Sequence, residues 1–310
     1  MYKEMKLNIL CLIPILLTAS LTFAQEITGT ATNLVAHAAV LTPVSQEYTF
    51  TEGPAVDRKG DVYFTDQPND RILKWSKKRG LEVWMQPSGR ANGLYFDDQG
   101  NLLACADAHN QLWKIDPQKQ VTVLIERFEG KLLNGPNDLW IDPRGGIYIT
   151  DPFYKRDYWD HSEKEIEQER LYYLPPGAKA PLIMDAGYER PNGLIGTPDG
   201  KNLYVTDANG GKTYVYDIGE DGALMNRRLF VPMRSDGMTI DDQGNIYLTG
   251  DGVTVFNPAG EQILHISVPE QWTANVTFGG KKEKTLFITA MKSLYTLKMN
   301  VHGVRWNTGH

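Results

Sequence analysis

Six acids and amides recur at one offset in this chain, and all are oxygen donors. Glu52, Asn92, Asn137, Asn192 and Asp236 each stand eight residues before a turn glycine, at 60, 100, 145, 200 and 244. Aligning Leu286-Phe287 on Leu203-Tyr204 adds Asn275 opposite Asn192. Four of the first five are followed by glycine and the other, Asn137, by Asp138. Brought together, two carboxylates and several carboxamides would suit a hard divalent cation. Calcium fits better than magnesium, because it accepts neutral carbonyl oxygens in a wide, irregular cage. Zinc is disfavoured by the absence of His and Cys from the set. One Asn-Gly or Asp-Gly pair alone reads as a turn. Recurrence at one offset in six repeats favours a shared structural position instead.

The elements that must position these residues are themselves repeated. Asp142-Pro-Arg-Gly-Gly-Ile-Tyr-Ile-Thr-Asp151 has near copies at Asp57–Asp66 and Asp241–Gly250, and looser ones at 97, 197 and 280. Each is a Gly/Asp turn followed by a β-branched and aromatic run, a turn-then-strand signal. The spacing of about 39 to 55 residues is that of repeat folds. Six such units without helical periodicity predict an all-β protein, a six-bladed β-propeller. The first strand of each blade lines the axis of a propeller, so the six donors converge there as a central metal site.

Later strands follow in order, as in Arg71–Trp75, Gln111–Ile115 and Val253–Phe256. Trp75, Trp84 and Trp113 are expected to pack between blades. Asp66, Asp107, Asp151 and Asp207 end strands, where carboxylates hold turn amides. That role is assigned to Asp66 and Asp207, whereas Asp107 and Asp151 are candidates to face the pocket. Blade three breaks the rhythm with an insertion over residues 152–169. Its first half carries Tyr154, Tyr158 and Trp159, which suit either a lid or wall of the pocket or a plain surface excursion. Its charged second half is expected as a short solvated helix, with His161 on the solvated face.

Residues 1–24 have the form of a secretory signal peptide, with Lys3 and Lys6 before an apolar run and Leu21-Thr-Phe-Ala24 at the cleavage site. The run is too short for a confident membrane span. The chain is therefore expected to be soluble and periplasmic or secreted, with no membrane partner after cleavage. Residues 25–310 form one propeller domain, closed by Ala38–Leu41 or Tyr48–Phe50. Cys105, the sole cysteine after cleavage, is expected as buried filler. A net charge of −6 with scattered basic residues argues against nucleic acid. No evident apolar surface run calls for self-association, so a monomer is expected.

The ring residues sit in a signature. Glu52-Gly-Pro, Arg90-Ala-Asn-Gly-Leu94, Asn134-Gly-Pro-Asn-Asp-Leu139, Tyr148–Tyr154, Pro191-Asn-Gly-Leu194 and Ser235-Asp-Gly-Met238 together resemble the SMP-30/gluconolactonase family, also called regucalcin-like. The resemblance spans about residues 48–298. It implies a six-bladed propeller with a divalent metal, commonly calcium, replaceable by zinc, manganese or magnesium, and a small-molecule sugar lactone as substrate. Carried over by position, the metal ligands are Glu52, Asn137, Asn192 and Asp236. Asn92 and Asn134 match positions near the substrate. Arg90 is a candidate partner for a substrate carboxylate or phosphate, with Tyr154 and the unmatched Asn275 as further substrate contacts. Where one bacterial pattern has Glu-His-Gly, this chain has Ala106-Asp107-Ala108, which makes His109 a poor base.

The chemistry implied is hydrolysis of a lactone, with the metal polarising the carbonyl for attack by water. Asp236 is the expected proton acceptor, with Asp107 or Asp151 as alternatives. Two other readings use the same scaffold: an organophosphate or aryl-ester hydrolase, and a non-catalytic calcium-stabilised propeller that binds a sugar or a protein.

Overall fold

The computed structural model describes residues 26–305. The expected signal peptide lies outside the described residues. Six antiparallel sheets follow one another along the chain as the blades of a propeller. The innermost strands are Thr51–Val56, Ala91–Phe96, Leu139–Ile141, Pro191–Gly196, Met238–Ile240 and Thr273–Gly279. Each blade then runs outward by hairpins, blade one through Val62–Asp66, Arg71–Ser76 and Gly80–Met85.

The hairpins between first and second strands are built by the repeated Asp/Gly turn. The carboxylates of Asp57, Asp97, Asp142 and Asp241 each accept backbone N–H bonds from the residues two and four positions on, at 2.8–3.0 Å. This local bond holds the turn before any tertiary contact forms. Between blades, the alternating apolar side chains pack into six clusters among the described residues, one for each neighbouring pair. Trp75 lies 4.8 Å from Phe287 across the junction of blades one and six, and Trp84 stands on Tyr63, which meets Phe96 of blade two. Cys105 is fully buried in the cluster between blades two and three.

The ring closes through Thr42–Ser45, which pairs with Ser293–Lys298 as the outer strand of blade six. Both segments expected to do this, Ala38–Leu41 and Tyr48–Phe50, flank the strand that does. The reason is physical: an outer edge strand is half-exposed and carries no apolar alternation, and it tolerates Pro43. Ile27–Gly29 adds a fifth strand to blade five.

The innermost strands come unusually close to one another. Gly93 N donates to Asn137 O, Gly193 N to Asp236 O and Gly237 N to Ala274 O, each at 2.7 Å and each between neighbouring blades. A Cβ at Gly53 or Gly193 would run into the next blade's backbone, and one at Gly237 into the Asn275 side chain. The glycines of the ring pairs Asn92-Gly93, Asn192-Gly193 and Asp236-Gly237 are therefore contact glycines, not turn glycines. Gly145 is the opposite case, with φ +88° and nothing within 4 Å of an added Cβ. Gly193→Ala should cost at least about 3 kcal/mol, from overpacking plus a strained inter-blade hydrogen bond. Gly145→Ala should cost only about 1–2 kcal/mol from its left-handed backbone. Urea unfolding of both variants checks the order, and a reversal would mean that the inner strands can spread.

Candidate active site

The donors reach the axis because the inner strands are irregular where they begin. Register breaks fall between Glu52 and Ala55, Ala91 and Leu94, Pro191 and Leu194, and Thr273 and Asn275. In blades three and five the pairing starts only at Leu139 and Met238, after Asn137 and Asp236. Bulges re-aim side chains out of the pleat, here toward the centre. Threonines of the second strands brace these irregular segments. Thr65 Oγ1 donates to Asn92 O at 3.2 Å, Thr289 Oγ1 to Asn275 O at 3.1 Å, and Thr206 Oγ1 accepts from Ser235 N at 2.8 Å.

Glu52, Asn92, Asn137, Asn192 and Asn275 are buried, while Asp236 keeps partial contact with solvent. Burial pushes the Glu52 carboxyl well above its usual range, and the nearby Asp236 and Asp138 add to the rise. Asp236 is pushed up to about 6 by burial, held back by Trp272, Asn192, Arg156 and Arg234. Asp138 is pushed up to about 7, again mainly by burial. Among the described residues none of the three has a Lys, Arg or His within 4.0 Å. Buried carboxylates without a counter-charge are costly and want a cation.

The donor chemistry fits a hard divalent ion. Among the described residues no three His, Cys, Asp or Glu side chains form a metal cluster by themselves, so amide oxygens must complete any shell. Glu52, Asn137, Asn192 and Asp236 could hold such an ion. Asn192 Nδ2 donates to Tyr154 Oη at 2.9 Å, and the Asn192 amide also hydrogen-bonds the Asp236 carboxylate. Trp272 Nε1 donates to Asp236 Oδ2 at 2.5 Å and fixes that carboxylate's orientation.

The other expected residues fall into different places. Asn275 does not reach the mouth: its side chain packs against Gly237 and hydrogen-bonds both Glu52 and Asp138. Asp151 receives the backbone N–H groups of Asn134 and Gly135 at 3.0 and 2.8 Å, the anchoring role expected of Asp66 and Asp207. Burial nonetheless pushes it up to about 7. Asp107 pairs with Arg156 at 3.0 Å and accepts from the Tyr158 hydroxyl. Asn134 donates through Nδ2 to Gln168 O at 3.1 Å, while its Oδ1 is buried without a hydrogen-bond partner. Arg90 donates to Pro68 O at 2.6 Å and lies over the Tyr158 ring.

The insertion is a wall. Tyr154 reaches Asn192, while Trp159 Nε1 donates to Asp107 O at 2.7 Å and its ring packs against Gly135. Its second half forms no helix, and His161 is half-buried, stacked on Trp159 with Nε2 3.2 Å from Asn110 Oδ1. The charged residues there serve as tethers instead, as Glu165 accepts from Leu132 N and Glu169 faces Arg190. Sequence reasoning missed Asp138 and Trp272 as parts of the site. Asp138 had a visible signal, a carboxylate where the other repeats have glycine. Trp272 had none, because its indole meets Asp236 only through the fold. Below the ring an axial cavity of about 400 Å³ runs toward the first hairpins, where Gly303–Arg305 lies against it.

The model of the SMP-30/gluconolactonase/LRE-like region matches residues 50–292. The chain belongs to that family. It is 30% identical over 291 residues to a gluconolactonase of Zymomonas mobilis, covering 84% of this chain and 81% of the relative. It is 25% identical over 278 residues to the diisopropyl-fluorophosphatase of Loligo vulgaris, covering 81% and 88%. The solved structure of a gluconolactonase from Xanthomonas campestris superposes with a TM-score of 0.81 at 30% identity, over 89% of this chain and 94% of that one. Named lactone hydrolases are thus among the relatives of this chain.

In this family member the buried ring carboxyls give stability a pH dependence of definite sign. Carboxylates with raised values favour the protonated folded state, so their contribution is present at low pH and is lost as pH rises through about 6 to 7. Glu52→Gln removes one of the repelling charges. In chelator, the variant should gain melting temperature over the parent as pH goes from 4 to 7, and saturating calcium should reverse the order. A difference independent of pH would mean that burial does not raise the Glu52 carboxyl.

Proposed function

We propose that this family member is a divalent-metal-dependent lactonase that opens a sugar lactone, with Asp236 as the proton acceptor. The observation that carries this reading is the pair Glu52 and Asp236, set among carboxamides at the axis with no Lys, Arg or His within 4.0 Å of either one among the described residues. A divalent cation held by Glu52, Asn137, Asn192 and Asp236, calcium by the choice of donors, would supply Lewis acidity at the lactone carbonyl. Asp236 takes the proton of the attacking water. Water oxygen bonds to the carbonyl carbon, the ring C–O bond breaks, and the leaving alkoxide takes a proton back. Trp272 keeps the carboxylate in one orientation through this exchange. Asn92 and Asn134 offer neutral amides suited to sugar hydroxyls. Tyr154 and the wall around it limit water at the mouth. The basic N-terminus followed by an apolar run supports a place outside the cytoplasm for this activity.

Hydrolysis of D-glucono-1,5-lactone and a panel of aldonolactones, measured above the spontaneous rate, tests the reading. Activity should vanish in EDTA, return with calcium, and fall about 100-fold or more in Asp236→Asn. Diisopropyl fluorophosphate serves as the comparison substrate. Calcium binding with no excess rate on any lactone would sink the lactonase, and turnover of the fluorophosphate alone would move the activity to phosphoester chemistry.

A further inference from the structure

The mouth of the site carries charge that the ring chemistry does not use. Four arginines stand there on aromatic rings: Arg90 4.3 Å from the Tyr158 centroid, Arg156 and Arg190 at 5.5 and 4.7 Å from Tyr154, and Arg234 5.1 Å from Trp272. Two of those aromatics touch the ring itself, Tyr154 through Asn192 and Trp272 through Asp236. Arg156, Arg190 and Arg234 thereby lie over aromatics that touch the ring, and Arg90 over one that bonds Asp107.

Two of the four are already paired. Arg156 faces Asp107 at 3.0 Å and Arg190 faces Glu169 at 3.5 Å. Arg90 and Arg234 have no carboxylate within 4.0 Å among the described residues. Arg90 is partly committed, through the 2.6 Å bond to Pro68 O. Arg234 is exposed, stacked on Trp272, and close enough to influence the Asp236 carboxylate. If a divalent cation balances Glu52 and Asp236, the positive charge of Arg234 is left over at the mouth. Blades two and five lie opposite each other in a six-membered ring, so Arg90 and Arg234 cannot grip one small anion together.

Resting on the lactonase reading, we propose that the substrate is an aldonolactone with a second, anionic group at the end away from its reacting carbonyl, received by Arg234. A guanidinium lying over an indole is suited to a carboxylate, phosphate or sulfonate, because its planar fork matches two oxygens of such an anion. The lactone carbonyl then sits over the ring while the anion lies at the blade-five side of the mouth. A neutral aldonolactone would fill the floor and leave Arg234 in water.

D-glucaro-1,4-lactone and D-glucono-1,4-lactone test this, since they differ only in a carboxylate against a hydroxymethyl group. The parent should prefer the glucarolactone by about tenfold or more in kcat/KM, the scale of one charged hydrogen bond. The preference should shrink with added salt, collapse in Arg234→Gln and partly survive in Arg234→Lys. Calorimetric titration with D-glucarate and D-gluconate at fixed free calcium gives the same comparison without turnover, and glucarate should bind more tightly to the parent. A ratio of one or less in the parent, or a ratio unchanged in Arg234→Gln, overturns the proposal. Collapse in Arg90→Gln but not in Arg234→Gln also overturns it, by moving the anion to blade two. If neither lactone is hydrolysed, the lactonase reading is what has failed, and equal binding of the two acids overturns the anion site as well.

Discussion

Everything in this molecule depends on how closely six strands can approach one axis. Backbone N–H bonds at 2.7 Å run from one inner strand to the next at Gly93, Gly193 and Gly237. They form only where no Cβ stands in the way. That close contact sets the radius of the ring, and the radius decides whether Glu52, Asn137, Asn192 and Asp236 can share a ligand. The inter-blade apolar clusters supply the force that holds the approach, because each blade buries one face against each neighbour. The Thr42–Ser45 strand closes the circle and removes the free edge along which it could open.

Crowding acids onto the axis has an electrostatic cost, and the composition of the ring limits it. Only Glu52 and Asp236 among the six repeated positions can ionise, and Asp138 is the third carboxylate nearby. Amides at the other positions offer oxygen without adding charge. Asn275 lies between Glu52 and Asp138 and hydrogen-bonds both, which tempers their repulsion. Their raised values come mainly from burial, with the neighbouring carboxylates adding to Glu52 and Asp138. Under the proposed function, a bound divalent cation would answer the remaining demand.

The periphery follows a different logic. Asp66, Asp151 and Asp207 spend their carboxylates on loop amides, and Asp107 spends its own on Arg156 and Tyr158. These groups shape the rim without entering the ring. The blade-three insertion is fastened to Asp107 through Arg156, Tyr158 and Trp159, and its Tyr154 stands beside Asn192. Variation at this rim can change which substrate enters while the axis stays the same.

Repetition made much of this readable from the chain. An Asp/Gly turn and a β-branched run in six copies specify strands through local bonds, and the constant offset of the donors follows from the constant geometry of a blade. Family motifs spanning the chain carried the ring assignment further. Local chemistry also determined that Cys105 and the packing tryptophans belong inside. Only the tertiary structure decided which half-exposed segment closes the ring, because an edge strand has one partner and no apolar alternation to announce it. It alone turned the charged half of the insertion into tethers, since Glu165 and Glu169 find their partners on other elements. It alone placed Trp272 on Asp236 and Arg234 on Trp272. Contacts of that kind join segments whose spacing in the chain carries no period, so only the assembled propeller can bring them together.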